Sequence, residues 1–174
     1  MSYSATSYST IGRCEECHQT GRYLEQMDFV EGNNGYVSIE VCAYGCDSEH
    51  SQAEPVMDMV DKLLQAEIKL LKQDLRKVNV MPIKAAREEA QKGLQLKIGI
   101  CESLQDYNKK DRLNVDDWSR IMSLSNRWER DTDRAINQRK AMRQTTKCIA
   151  DVERLQADKR LYHELRRYAH GQCM

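Results

Sequence analysis

Four of the seven cysteines come as two pairs, Cys14-Glu-Glu-Cys17 and Cys42-Ala-Tyr-Gly-Cys46. Between the pairs, YLEQMDFV (residues 23–30) and GYVSIEVC (residues 35–42) are rich in aromatic and β-branched residues. Glu31-Gly32-Asn33-Asn34 joins them, and its Gly and Asn residues tolerate the positive φ of a tight turn. The spacing therefore predicts one β-hairpin with a cysteine pair at each foot. A two-stranded hairpin is marginal in water, so something besides its own apolar side chains has to hold this segment.

A Cys-x2-Cys and a Cys-x3-Cys step each let two sulfurs face one ion, so Cys14, Cys17, Cys42 and Cys46 are candidate ligands of a tetrahedral metal. Residues 13–50 resemble the zinc ribbons, although the second step is one residue longer than the usual ribbon step and lacks the glycine that commonly follows it. The resemblance implies a structural Zn2+, whose binding energy of about 10–16 kcal/mol in small fingers would offset the small core. Four thiolates close the coordination shell and leave no place for a catalytic water. His18 and His50 are candidate substitute ligands. Two disulfides would serve an exported protein instead, and Cys14-Glu-Glu-Cys17-His18 also matches the attachment pattern of c-type haem. Cys101 and Cys148 fall on apolar stripes and read as small buried hydrophobes. Cys173 reads as part of a frayed end.

Residues 1–12 read as a flexible tail, residues 13–50 as the zinc-ribbon-like module, and residues 54–174 as a helical body. Met57, Val60, Leu64, Ile68, Leu71, Leu75 and Val78 recur at helical spacing, and so do Ile83, Ala86, Ala90, Leu94, Ile98, Cys101 and Leu104. Asn114 offers a cap ahead of Asp116 and Asp117, and a third stretch is expected to run from there to about His170. Equal arms on either side of residues 111–115 predict a mainly α fold, either a long antiparallel, coiled-coil-like helical hairpin or a three-helix bundle. The choice turns on Pro82, which either kinks the first arm or marks a turn at Asn79-Val80-Met81.

The 27 basic and 27 acidic residues cancel, but unevenly along the chain. Up to Ala53 there are only Arg13 and Arg22 against eight acids, and the rest of the chain holds 25 bases against 19 acids. An acidic module on a basic body is expected to dock on its own helices or on those of a second copy. Arg134, Arg139, Lys140, Arg143 and Lys147 form a run without acids, a candidate contact for nucleic acid or a partner, with Lys140, Arg143 and Lys147 spaced for one helical face. Asp111, Asp116 and Asp117 are candidate tip contacts. A zinc finger joined to a hairpin with an acidic tip looks superficially like certain regulators of RNA polymerase, with the order of the two parts reversed.

No phosphate-binding glycine loop, His-Glu-x-x-His or nucleophile elbow occurs, which argues against an enzyme. No run approaches the roughly 18 apolar residues of a membrane span, and no secretion signal is visible at the start, so an intracellular, cytoplasmic protein without membrane contact is expected. The reading that follows is a zinc-binding regulatory or adaptor protein that works by protein–protein contact, with self-association as a homodimer. A nucleic-acid- or transcription-associated factor is the alternative.

Overall fold

The computed structural model describes residues 10–31, 35–43, 45–47, 54–142 and 145–174. His50, Arg143 and the turn at residues 32–34 lie outside these. The chain is mainly helical with a small sheet at its N-terminal side. The strands are β1 (Thr10–Gly12), β2 (Arg22–Glu31) and β3 (Gly35–Cys42), and the helices are α1 (Val56–Val78), α2 (Lys84–Lys109), α3 (Val115–Ala141) and α4 (Thr146–Gln172).

β2 and β3 form the expected antiparallel hairpin, from Glu31 opposite Gly35 to Leu24 opposite Cys42. β1 adds a short third strand, with Ile11 opposite Tyr23, so residues 10–12 of the expected tail pair with β2, and residues 1–9 of it lie outside the described residues. Three residues are too few to announce a strand by alternation, and pairing with β2 decides their conformation.

Successive side chains of a strand face opposite ways, and β2 uses both faces. Leu24 is buried with Cys14, Val41 and Cys42 in the core of the module. Tyr23 points the other way, into the helical core. There its hydroxyl lies 3.0 Å from Met59 Sδ, with Ile11 and Ala43 packed alongside. The module thus docks on its own helices. The contact is an apolar insertion, where burial first, then the charges of Glu164 and Glu54, hold the Tyr23 hydroxyl well above the usual phenol range.

The helical body divides one step further than the sequence suggests, into two antiparallel hairpins. In the first, Asn108 Nδ2 donates to Met57 O (2.9 Å) and Gln105 Nε2 to Asp61 Oδ1 (3.1 Å). Asn79–Ile83 is the turn between α1 and α2. Pro82 lies in that turn, where its missing N–H costs no helical bond. In the second hairpin, Lys159 Nζ donates to Asp133 Oδ1 (2.6 Å), and Trp128 packs on Tyr162 with ring centroids 5.7 Å apart. The stretch expected to continue to His170 is broken at Met142. There the backbone becomes extended, and Thr145 starts α4 by accepting a hydrogen bond from Cys148 N at 3.2 Å.

The two hairpins meet around Leu63, Leu64, Leu104, Ile121 and Leu165, all fully buried. A buried carboxylate also sits there: Glu67 of α1 accepts from Trp128 Nε1 (2.9 Å) and pairs with Arg127, both on α3. A buried carboxylate left without its partners is strongly destabilising, so these bonds fix how the hairpins sit together. Among the described residues no helix is long and apolar enough to cross a membrane.

Candidate metal centre

An antiparallel hairpin brings the residue before its first strand beside the residue after its second. The Cys14–Cys17 loop precedes β2 and the Cys42–Cys46 loop follows β3, so both loops meet at the open end. The first is tied to β3 by Glu15 N donating to Glu40 O (2.9 Å), and it closes on itself through Cys14 N to Gln19 O (3.0 Å). The second closes through Gly45 N to Cys42 O (3.0 Å). Gly45 takes φ 86°, a backbone conformation that glycine adopts without a Cβ penalty.

The four sulfurs lie within 4.8 Å of one another. Cys14 Sγ is 3.7 Å from Cys46 Sγ, and Cys17 Sγ is 3.6 Å from Cys42 Sγ. A tetrahedral ion with metal–sulfur bonds of about 2.3 Å needs sulfurs about 3.8 Å apart, whereas a disulfide needs about 2.05 Å. All seven cysteines are free thiols, and these four are spaced to hold a metal ion. Both pairs belong to one site, which leaves the haem arrangement no use for the second pair.

Charge around the sulfurs is arranged unequally. Burial raises the Cys14 thiol, but backbone N–H groups of Cys17 and Glu16 outweigh it and bring the group down to about 6. Cys17 N points at Cys14 Sγ from 3.4 Å. Cys42 and Cys46 are pushed up, chiefly by burial, and Cys46 also by the Glu16 carboxylate 3.3 Å from its sulfur. Arg22 is buried beneath the cluster. It donates from Nε to Cys42 Sγ (3.5 Å) and from its terminal nitrogen to Cys46 O (2.8 Å). Four thiolates around a dication carry a net charge of −2, and the guanidinium compensates part of it. Arg22 is the functional residue that spacing alone misses. The available signal was one of only two bases on the acidic part of the chain, two residues before a buried Leu.

His18 stands apart from the cluster. It is exposed, and it takes φ 59° where the loop turns out of Cys17. Its N–H donates to Cys14 O (2.9 Å), so the backbone of His18 closes the loop while its imidazole takes no part. Among the described residues, Cys14, Cys17, Cys42 and Cys46 are the one group that could hold a metal ion. Cys101 and Cys148 are buried as expected, and burial first, then Glu67, pushes Cys101 up to about 11. Cys173 Sγ contacts Val115 O at 3.8 Å, at the end of a helix that runs to Gln172.

The basic run does not form one helical face. Arg134, Arg139 and Lys140 are on α3 and Lys147 is on α4, and Arg143 lies outside the described residues. Acids meet part of this charge: Arg134 pairs with Asp131 (3.1 Å) and Arg139 with Asp151 (3.8 Å). The acidic residues around 111–117 also differ from the expected remote tip. Because the body folds back at Asn79–Ile83, this link lies at the same end as the start of α1. Asp117 is buried and spent on a capping box, accepting from Asn114 N (3.2 Å) while Asn114 Oδ1 accepts from Asp117 N (2.9 Å). Asp111 turns the chain with φ 51°, and Asp116 sits exposed in the first turn of α3. No protein-family model, curated protein or solved structure matches the chain.

Proposed function

We propose that Cys14, Cys17, Cys42 and Cys46 hold a structural Zn2+, and that the chain is a non-enzymatic regulatory or adaptor protein whose helices bind another protein. The observation that carries this reading is the ring of four sulfurs with a buried guanidinium against it. Tetrahedral all-thiolate sites select zinc or iron–sulfur chemistry, and zinc is the ion such loops hold as scaffolding. With every coordination position taken by protein, the ion shapes the module and offers nothing to a substrate. Large apolar side chains left exposed on α2, among them Leu96, Ile100 and Tyr107, favour a protein partner. Division of the basic run between two helices, with acids facing Arg134 and Arg139, speaks against the nucleic-acid alternative.

Elemental analysis of the purified protein is expected to find one zinc per chain, lost in Cys14→Ser and Cys42→Ser. A metal-free protein whose fold ignores chelator would end the zinc reading. Generic DNA or RNA at low salt is expected not to bind. Binding that falls steeply with salt and weakens in Arg139→Ala and Lys140→Ala would replace the protein partner with a nucleic acid.

A further inference from the structure

α2 carries two apolar stripes. One of them, with Ile98, Cys101 and Asn108, is buried against α1. The other consists of Gly93, Leu96, Ile100, Ser103 and Tyr107, spaced three and four apart like the seam positions of a heptad repeat. Every residue of this second stripe is exposed, Leu96 to 67%, Tyr107 to 43% and Ile100 to 37%. It borders a cleft of about 530 Å³ whose far wall, at Asp117 and Arg120, belongs to α3.

We infer that this stripe is the contact between two copies of the chain, packed as antiparallel α2 helices about a twofold axis. The inference rests on the reading of the chain as a protein-binding molecule and names the surface and the occupant. Two features of α2 single out a second copy.

The first is layer complementarity. When the stripe is laid antiparallel on itself, Leu96 meets Ile100 of the second copy and Ile100 meets Leu96, so two large layers form at the centre. Gly93 meets Ser103 on either side, giving small layers where the backbones come close. Gly99 falls opposite Gly99 beside the axis. Glycine is the poorest helix former after proline, yet α2 has two of them in mid-helix, and a Cβ at either would meet nothing within 4 Å in the single chain. Open space above a mid-helix glycine is room for another backbone. Ser103 adds no polar demand, because its hydroxyl is already bonded to Gly99 O at 2.9 Å.

The second feature is charge. In the same register, the flanking position that holds Lys92 in one copy meets Asp106 of the other, and symmetry makes this pair twice. Asp106 is exposed on α2 and among the described residues pairs with Lys110 at the end of the same helix (2.7 Å), so it is accessible to the second Lys92. On the opposite flank the two Lys97 residues face each other. That repulsion holds the dimer to modest affinity.

Sedimentation equilibrium of the full, metal-loaded chain tests this. A mass twice 20.2 kDa is expected at about 100 µM, with helicity and metal content unaffected when Leu96→Glu makes the protein monomeric. Lys92→Glu is expected to weaken the dimer about tenfold, and adding Asp106→Lys to restore it. Lys97→Ala should tighten it. A wild type that stays monomeric overturns the inference. So does a dimer indifferent to Leu96→Glu, or a double variant no tighter than Lys92→Glu alone. These failures leave the metal module and any other partner untouched, whereas loss of zinc binding would strike the module and not this face.

Discussion

The module and the helical body solve the same problem with different means. The body buries whole apolar stripes, and Leu63, Leu64, Leu104, Ile121 and Leu165 need no outside help. Among the described residues, the module's own core holds Leu24 and Val41 as buried apolar side chains besides its thiols, so its shape is expected to depend on what the sulfurs hold. One part is therefore stabilised by the hydrophobic effect, which every copy carries in its sequence. The other, with the proposed zinc, is stabilised by an ion, which has to be supplied.

The most forceful way to break this contrast is to remove the ion. With chelator, or in the Cys14→Ser/Cys42→Ser double variant, the module is expected to lose the roughly 10–16 kcal/mol that a structural zinc supplies and to unfold, while far-UV circular dichroism keeps the helical signal. Loss of both signals together would show that the body is not independent. The converse experiment is Leu63→Ala, expected to cost the body about 2–5 kcal/mol in denaturant titration with zinc stoichiometry unchanged.

A third experiment concerns the second hairpin, where Glu129 accepts from His163 Nδ1 and Arg166 Nε, each at 2.8 Å. Burial pushes this carboxyl up, but those two bonds outweigh it and hold the group below the usual carboxylate range. A depressed folded value means that the stabilisation is complete above the unfolded value and is lost as pH falls through the folded one. Glu129→Ala is expected to cost about 2 kcal/mol at neutral pH and progressively less in acid, read as convergence of the two stability curves. The smallest effect falls on the module. His18→Gly relieves a left-handed backbone and is expected to raise the resistance of the module to chelator by no more than about 1 kcal/mol, whereas a loss of zinc affinity would assign the imidazole a role at the metal.

Legibility in the sequence followed the range of the interaction. The cysteine loops, the β2–β3 pairing and the Asn114 cap are settled by residues a few positions apart, and local spacing displays them. The turn at Pro82 was one of two local options, and packing of α2 back on α1 chose it. The break at Met142 was not visible, because no glycine or proline marks it and a lone Thr145 cap resembles any threonine in a helix. Arg22 beneath the sulfurs, Tyr23 in the helical core and Glu67 between the hairpins all depend on partners more than 18 residues away. A pattern read along the chain has no access to such pairs. Glu67, between Gln65 and Lys69, reads along the chain as one more polar residue of an amphipathic helix.

β2 also bears on the order of events in folding. The helices of each hairpin are separated by a few residues, so their partners find each other quickly, whereas with the proposed zinc Cys14 and Cys46, 32 residues apart, would have to close around an ion. The expected sequence is a fast phase that assembles helices and a slower, zinc-concentration-dependent phase that seats Tyr23 beside Met59. Stopped-flow fluorescence from the two tryptophans, both on α3, would follow the first phase, and the second would be absent in Cys42→Ser. A newly made chain would then spend its first moments with the Tyr23 pocket of its helices open, for a time set by how soon metal arrives.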